Sequence, residues 1–571
     1  PGLKYGLERA LFNPGVYHFQ DPESKVFNFD PYLAQIMPAE EFDFDALRKY
    51  VTSSKDTTLL DLTVKHGKKY TGSTSSMTSA LAHFHYLLSG FRPLNYEMLS
   101  HGFMSTVQVS NQVTRFNRGP VGTFLHWKDG AYAIDADKEF DSETVLSQLG
   151  RSMEKLLTLD KEDYEKYRKS NAEKLSNGAP DEEAFHYSSM GDFLMRSQLD
   201  ALDRRLPGSG MFDLKTRAVV SIRMNVHNYK QGQDYEIRHR FGEWESFERE
   251  YYDMIRAAFL KYSLQARMGR MTGIFVAFHN TKRIFGFQYI PLSEMDCAIH
   301  GAKHYQLGDG EFRASIHLLN AVLDKATARF PQRTLRLFFE ARPTDPPFLY
   351  VFARPVTDEE VARVQKDEQD RAERIVQKME ENTVTDEETA EVQKDAQDQA
   401  AELAQEVEAK VVMDEEVAEA QQKMYDETDA AVQEMEIHEH AELPPPTEDG
   451  ELPPTEDEEL LGLIVSVRHK INGVDVDRPN NLHHSDVWDI DYSIKEMPLK
   501  TARHRYESMR KRRVEMYSLN RKKEGGDEWF TRFRKTLRSY SEKGAGYRKV
   551  HMRRAMKRPV HVLGFKKALH P

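Results

Sequence analysis

Alternating apolar and polar positions mark a series of strands joined by tight turns. GTFLHW and AYAIDAD flank Lys128-Asp129-Gly130, while GIFVAFH and IFGFQYI flank Asn280-Thr281-Lys282-Arg283. Both patterns predict antiparallel hairpins. LRLFFEAR and FLYVFARPV add two more strands, as do LGLIVSVRHKING and DVWDIDYSIKEM near the C-terminus. Residues 195–224 predict a further strand pair: Leu206-Pro207-Gly208-Ser209-Gly210 supplies the turn, and Val219-Val220-Ser221-Ile222 extends the second strand.

Three-and-four spacing predicts the helices. Residues 72–89 place Met77, Leu81, Phe84, Leu87 and Leu88 on an apolar stripe behind capping hydroxyls, and 143–159 do the same with Leu146, Leu149, Met153, Leu156 and Leu157. A polar helix to about Leu175 and a short one over 181–187 follow. The clearest helix is 241–268, where Trp244, Phe247, Tyr251, Ile255, Ala258, Tyr262 and Gln265 form a stripe long enough to cover one face of a sheet. Another amphipathic helix is expected over 314–329. Strands alternating with helices predict an α/β fold with a mixed sheet built from hairpins and flanked by helices.

Charge alters this picture in one place. The 571 residues carry a formal net charge of -12, yet residues 357–460 alone hold 36 Asp/Glu against 8 Lys/Arg. The remainder, with 72 basic and 56 acidic residues, is a basic protein. Within that acidic stretch DEE recurs at Asp358, Asp386 and Asp414, a 28-residue period. Its seam of Ala and Val is too thin for a firm coiled coil, so it reads as a solvated insertion, partly helical or disordered, that acts as a spacer. The expected organisation is an N-terminal extension packed on the core (1–120), the core (121–356), the insertion (357–460), strands rejoining the core (461–499) and a basic segment (500–571). That last segment has 23 Lys/Arg against 6 Asp/Glu, interleaved with Tyr517, Trp529, Phe530, Phe533, Tyr540 and Tyr547, a composition suited to a phosphate backbone and unpaired bases.

A single cysteine, Cys297, excludes a disulfide framework and a cysteine-based zinc site. No run reaches the roughly 18 apolar residues of a membrane span. The sequence begins at Pro1 and not at a methionine, which leaves room for a removed presequence and is no evidence about targeting.

The candidate chemistry lies in the 195–224 pair. Asp213 and Lys215 are two apart on a strand and project from one face. If Pro207 pairs with Gly210, Asp200 stands opposite Arg217 on that same face. Two carboxylates and a lysine then meet at one sheet edge, a set suited to metal-assisted phosphodiester hydrolysis. An acid two residues before a lysine also occurs at Glu23 and Glu408, so the motif gains weight only from Asp200 and the turn. Asp135 and Asp137 form a rival pair without a following lysine. His83 and His85 cannot share a helical face, so one is expected in the core and the other at the surface. The Ser/Thr cluster before them reads as a cap first and a phosphate site second. Lys261 reads as exposed.

FNPGVY, YTGSTSSMTSALAHFHYLLS, RSQLDALDRRLPGSGMFDLKTRA and ESFEREYYDMIRAAFLKYSLQARMG resemble a family of fungal mitochondrial proteins required for 5′-end processing and degradation of mitochondrial transcripts. That family is assigned to the PD-(D/E)XK nuclease-like superfamily. The resemblance implies a metal-dependent 5′-to-3′ exoribonuclease using Mg²⁺ or Mn²⁺ on single-stranded RNA. It further implies a place on the matrix side of the mitochondrial inner membrane, peripheral to it, beside the mitochondrial RNA polymerase or the degradation machinery. Carried onto this chain, the motif acids are Asp200 and Asp213 and the motif lysine is Lys215. Glu154 is the chosen third acid and metal ligand, with Glu183 as the alternative. Arg196, Arg204, Arg205 and Arg217 are the expected nucleic-acid contacts. The rival expectation is a non-catalytic, nuclease-like RNA-binding or scaffold subunit, which needs the basic surface but not the acids.

Overall fold

A chain whose strands outnumber what one flat sheet can bury against helices divides them between two sheets, and one short crossing between these sheets positions the site. The computed structural model describes residues 1–107, 109–140, 144–174, 184–301, 305–364, 459–522, 528–555 and 559–564. Among them the strands are β1 (Tyr17–His18), β2 (Tyr70–Ser73), β3 (Val121–Lys128), β4 (Ala131–Ala136), β5 (Ala184–Met190), β6 (Phe193–Leu199), β7 (Ala201–Leu202), β8 (Met211–Ala218), β9 (Gly273–His279), β10 (Ile284–Pro291), β11 (Leu335–Arg342), β12 (Phe348–Pro355), β13 (Leu461–Ile471), β14 (Val474–Val476) and β15 (Trp488–Glu496). The larger sheet runs β14-β13-β12-β11-β3-β4-β2-β6-β5, with β15 also on β13. The smaller runs β1-β10-β9-β8-β7. Each is mixed: β2 lies parallel to β4 and β6, and β8 parallel to β9, while the remaining pairs are antiparallel. The α/β class with mixed sheets flanked by helices therefore stands.

Both predicted hairpins form. Asp129 and Gly130, at φ 36 and φ 110, turn β3 into β4, a conformation that favours glycine in the second position. Between β9 and β10, Asn280 Oδ1 accepts from the backbone N–H groups of Lys282 and Arg283. The strands after the insertion rejoin the larger sheet as expected, β13 pairing antiparallel with β12. Of the insertion, residues 357–364 and 459–460 are described; the 28-residue repeat otherwise lies outside the described residues.

The 195–224 segment differs from the expected hairpin. Its first strand, β6, belongs to the larger sheet between β2 and β5, while β7 begins two residues later in the smaller sheet and pairs with β8. Asp200 sits at the crossing. The register is Ala201 with Phe212 and Leu202 with Met211, which sets Asp200 opposite Asp213 instead of Arg217. The shift is four residues, an even number, so the face of each side chain is unchanged. The turn closes through Asp203 N–H to the Gly210 carbonyl at 2.9 Å, and Gly210 has φ +73 with no room for a Cβ, which would approach the Asp203 carbonyl to 2.6 Å. Val219-Val220-Ser221-Ile222 does not extend the strand: Val220–Arg223 is a short helix.

Other corrections follow from tertiary contacts. The helix expected over 181–187 is instead the start of β5 from Ala184, and Glu183 lies outside the described residues. The 241–268 helix breaks at Ala258 into Phe247–Ala257 and Phe259–Gly269, both packed in the main core. The 314–329 helix starts earlier, at Tyr305. The polar helix expected to about Leu175 is a succession of short turns, Lys161–Tyr164, Glu165–Tyr167 and Lys169–Lys174. The N-terminal arm forms short 3-10 turns and the two-residue strand β1, and its Leu7, Phe29, Leu33 and Phe42 join the helix Val145–Thr158 in a second core against the smaller sheet. His83 and His85 are both buried, because the helix Thr74–Ser89 is covered on more than one side by the larger sheet and the helix Tyr305–Arg329.

The basic C-terminal segment folds as helices Leu499–Lys522 and Glu528–Ala555. Its aromatics serve the fold: Tyr517 stacks on Phe140, and Tyr540 stacks on Trp244 beside Phe533. Arg513 and Arg510 reach Asp137 and Glu139, which also hold the buried Arg336. Asp135 is engaged by Ser54 and His126. The rival acids are therefore partners in structural ion networks.

Candidate active site

Asp200, Asp213 and Lys215 come together on the floor of a cavity of about 420 Å³. Strand β8 supplies Asp213 and Lys215 on one face, and the crossing between the sheets brings Asp200 beside them. The Asp200 Oδ2 accepts the Leu214 backbone N–H at 2.9 Å, which fixes its orientation. Lys215 Nζ lies 2.5 Å from Asp213 Oδ2 and 5.2 Å from the centre of the Tyr262 ring.

The two carboxyl groups are close enough to perturb one another, and their affinities for a proton are shifted in opposite directions. Burial pushes Asp200 well above the ordinary carboxylate range, and the neighbouring Asp213 charge pushes it further. Asp213 is buried too, yet Lys215, the hydrogen bond with Asp200 and the charge of Lys261 hold it below its usual value. Lys215 is raised: burial works against its charge, but Asp213 and Asp200 outweigh that cost. Of the two, Asp200 is the one disposed to hold a proton and Asp213 the one disposed to ionise.

Glu154, from the helix Val145–Thr158, lines the same cavity, and its charge acts on Asp200. Arg151, one turn earlier on that helix, also lines it. Gln265 does as well, with its Oε1 buried and lacking a hydrogen-bond partner. Lys261 is exposed, as expected. Ser73, Thr74 and Ser75 form part of the wall: Ser73 and Ser76 make a reciprocal cap on the helix Thr74–Ser89, so the same hydroxyl cluster caps the helix and faces the cavity. Tyr50, Gln198 and Thr216 were not identified from the sequence, although Gln198 and Thr216 stand near the motif acids in it.

The arginines divide. Arg196 lines the cavity but is 3% exposed, with its guanidinium paired to Asp56, donating to the Val51 carbonyl at 2.7 Å and packed on Phe185. Arg204 and Arg205 are exposed, and Arg205 is held by Asp203. Arg217 departs from the expected surface contact: it is buried against Glu250 and beside Arg223.

Two adjacent buried acids, with an orphaned amide oxygen in the same wall, fit a hard divalent ion that takes one or two carboxylates and keeps several waters. Asp200 and Asp213 are the residues that would hold it, with Glu154 and Gln265 placed to orient its waters.

The family model described as "Mitochondrial protein Pet127" matches residues 50–324. A Schizosaccharomyces pombe protein, "mRNA degradation protein pet127, mitochondrial", is 39% identical over 365 residues, covering 63% of this chain and 68% of its own length. The Saccharomyces cerevisiae "Putative mitochondrial translation system component PET127" is 41% identical over 322 residues, covering 53% of this chain and 38% of its own length. The crystal structure of Candida albicans Rai1 in complex with pU5-Mn2+ overlaps 61% of this chain and 90% of that one, at 12% identity and a TM-score of 0.29, too small a likeness to support a functional statement. Among the described residues no helix is long and apolar enough to cross a membrane. The extent of the match to the fission yeast relative decides the matter, and the chain belongs to the Pet127 family of mitochondrial proteins.

Proposed function

We propose that this protein is a metal-dependent exoribonuclease that processes and degrades mitochondrial RNA from the 5′ end. The observation that carries the reading is the Asp200–Asp213 pair with Lys215 on Asp213, at the floor of an open polar cavity. A protein that needed only a scaffold would gain nothing from two adjacent buried acids. The name of the fission yeast relative supports mRNA as the substrate class, and the 5′-to-3′ direction rests on the family resemblance.

A bound Mg²⁺ or Mn²⁺ supplies Lewis acidity at the scissile phosphate and an acidified water. Asp200 and Asp213 would hold it, both in their ionised form. Lys215 Nζ, tethered to Asp213, holds the attacking water in line or steadies charge on the phosphate. Glu154 and Gln265 orient water in the cavity, and the Ser73–Ser75 hydroxyls with Arg151 position the strand. Arg204 and Arg205 guide RNA at the surface. Single-stranded RNA is the substrate, the mitochondrial matrix beside the inner membrane the setting, and the RNA polymerase or degradation machinery the partner.

The test is degradation of 3′-labelled, 5′-monophosphate RNA with and without Mg²⁺ or Mn²⁺, beside Asp213→Asn and Lys215→Ala. Metal-dependent shortening from the 5′ end by the wild type alone is expected. Equal degradation by folded variants, or none by any protein, would remove the catalytic reading in favour of an RNA-binding subunit.

A further inference from the structure

A second group of metal-ligating side chains lines no part of the cavity. His85 comes from the helix Thr74–Ser89, His300 from the end of the helix Leu292–His300, and Glu311 from the helix Tyr305–Arg329. One ligand atom from each lies within 4.8 Å of the others, and all three residues are buried. His85 Nδ1 is 2.8 Å and His300 Nδ1 3.2 Å from Glu311 Oε2, so two imidazole nitrogens converge on one carboxylate oxygen. The other oxygen, Oε1, is occupied by Arg92 Nη2 at 2.7 Å, which fixes the carboxylate with Oε2 toward the histidines.

We propose that His85, His300 and Glu311 form a structural zinc site distinct from the catalytic cavity. Two neutral imidazoles and a carboxylate suit a borderline ion such as Zn²⁺ better than Mg²⁺, which prefers an all-oxygen shell. The surroundings contain the carboxylate that metal-bound histidines commonly use to orient the ring: Asp296 Oδ1 stands 3.7 Å behind His300 Nε2 and is itself held by Arg267. His469, buried on β13, is close enough for the Glu311 charge to act on it. Arg92 opposes a second cation: its Nη2 is tied to Glu311 Oε1 and the Pro479 carbonyl, while its Nη1 stands 3.4 Å from His300 Nδ1 and must swing away from that nitrogen for an ion to bind there. Joining three helices, the ion would brace the helix whose first turn, Ser73–Ser75, faces the catalytic cavity.

Asp213→Asn protein, which lacks a catalytic metal ligand, separates this site from the proposed active centre. Purified from zinc-supplemented cells and dialysed against metal-free buffer, it is expected to retain roughly one zinc per chain by mass spectrometry. Its cobalt-substituted form should show visible d–d absorption. Adding His300→Ala or Glu311→Gln should abolish both signals, and stripping the wild type with a strong chelator should lower its Tm until zinc, but not magnesium, is restored. Less than a tenth of an equivalent of zinc, with no Tm response to added zinc in a folded apoprotein, would overturn the proposal. So would full zinc retention in His85→Ala, His300→Ala and Glu311→Gln. If the ribonuclease assay fails while zinc follows these residues, only the catalytic reading falls.

Discussion

Asp200 and Asp213 face one another where the chain crosses between two sheets, with the Leu214 N–H donating to Asp200 Oδ2 at 2.9 Å. The β7–β8 pairing of the smaller sheet sets them opposite, and β6, which ends one residue before Asp200, ties the approach to the larger sheet.

A proton held by Asp200, whose affinity for it burial raises, must leave when a divalent ion binds. Titration of Mn²⁺ into metal-free protein, followed calorimetrically in two buffers of different ionisation enthalpy, should show close to one proton released per site, ~1 below the raised Asp200 value and falling toward zero above it. Affinity should rise with pH over the same range. Proton release that does not change in Asp200→Asn would place the titrating group elsewhere.

Asp200→Asn should separate stability from activity. The folded protein holds the Asp200 proton more tightly than the unfolded chain does, whose aspartates titrate near 3.9, so this residue costs stability as pH rises from there through its raised folded value. An amide mimics the protonated acid, keeping an acceptor for the Leu214 N–H and a donor for Asp213. The metal-free variant should therefore melt at or above the wild-type temperature, with a margin that widens with pH, while RNA cleavage falls by roughly 100-fold or more. A large drop in Tm at neutral pH would contradict the account of Asp200 as the acid disposed to hold a proton.

Lys215→Ala should slow cleavage by roughly 100- to 1,000-fold, the range for loss of one donor near the reacting centre. It should also raise the pH at which Asp213 ionises, because Lys215 is the strongest of the charges holding that group down. The acidic limb of the pH–rate profile should move upward accordingly. An unmoved limb with normal rates would exclude Lys215 from the chemistry.

Arg217→Met tests the correction made to the nucleic-acid contacts. Burial lowers Arg217 to about 10, with Arg223 adding repulsion, and its Nε and Nη2 lack hydrogen-bond partners. Its folded value lies below its unfolded one, so the charged side chain costs stability at neutral pH. An apolar side chain of similar length should leave Tm equal or higher and RNA affinity unchanged in a filter-binding assay. Weaker RNA binding by a folded Arg217→Met protein would return Arg217 to the interface.

Asp137→Ala should loosen the C-terminal basic helix. The carboxylate, 2.9 Å from Arg336 Nη2 and 3.5 Å from Arg513 Nη1, is held low despite its burial by Arg513 and Arg336. Its removal leaves two buried guanidinium groups short of a partner, a loss of about 3–5 kcal/mol. Because the folded value is depressed, this stability is fully present above the unfolded value near 3.9 and is lost as pH falls through the folded one. Limited proteolysis at neutral pH should then cut within Leu499–Lys522 first. Uniform resistance across that helix would show that the network does not anchor it.

The sequence by itself determined the elements whose pattern is local. The β3–β4 and β9–β10 hairpins, the stripe of Leu149, Met153, Leu156 and Leu157, and the common face of Asp213 and Lys215 all follow from a period of two or 3.6 and a turn. Tertiary structure decided what depends on partners far along the chain. β7 has two residues, too few to show a period, so the break at Asp200 and the register opposite Asp213 are invisible until β6 pairs with β2 and β5. Burial of both His83 and His85, and of Arg217 against Glu250, likewise depends on which helices and sheets cover them. Periodicity tells which way a side chain points from its own element. What it meets there is set by non-local packing, where a polar group is tolerated only if another part of the chain supplies its partner.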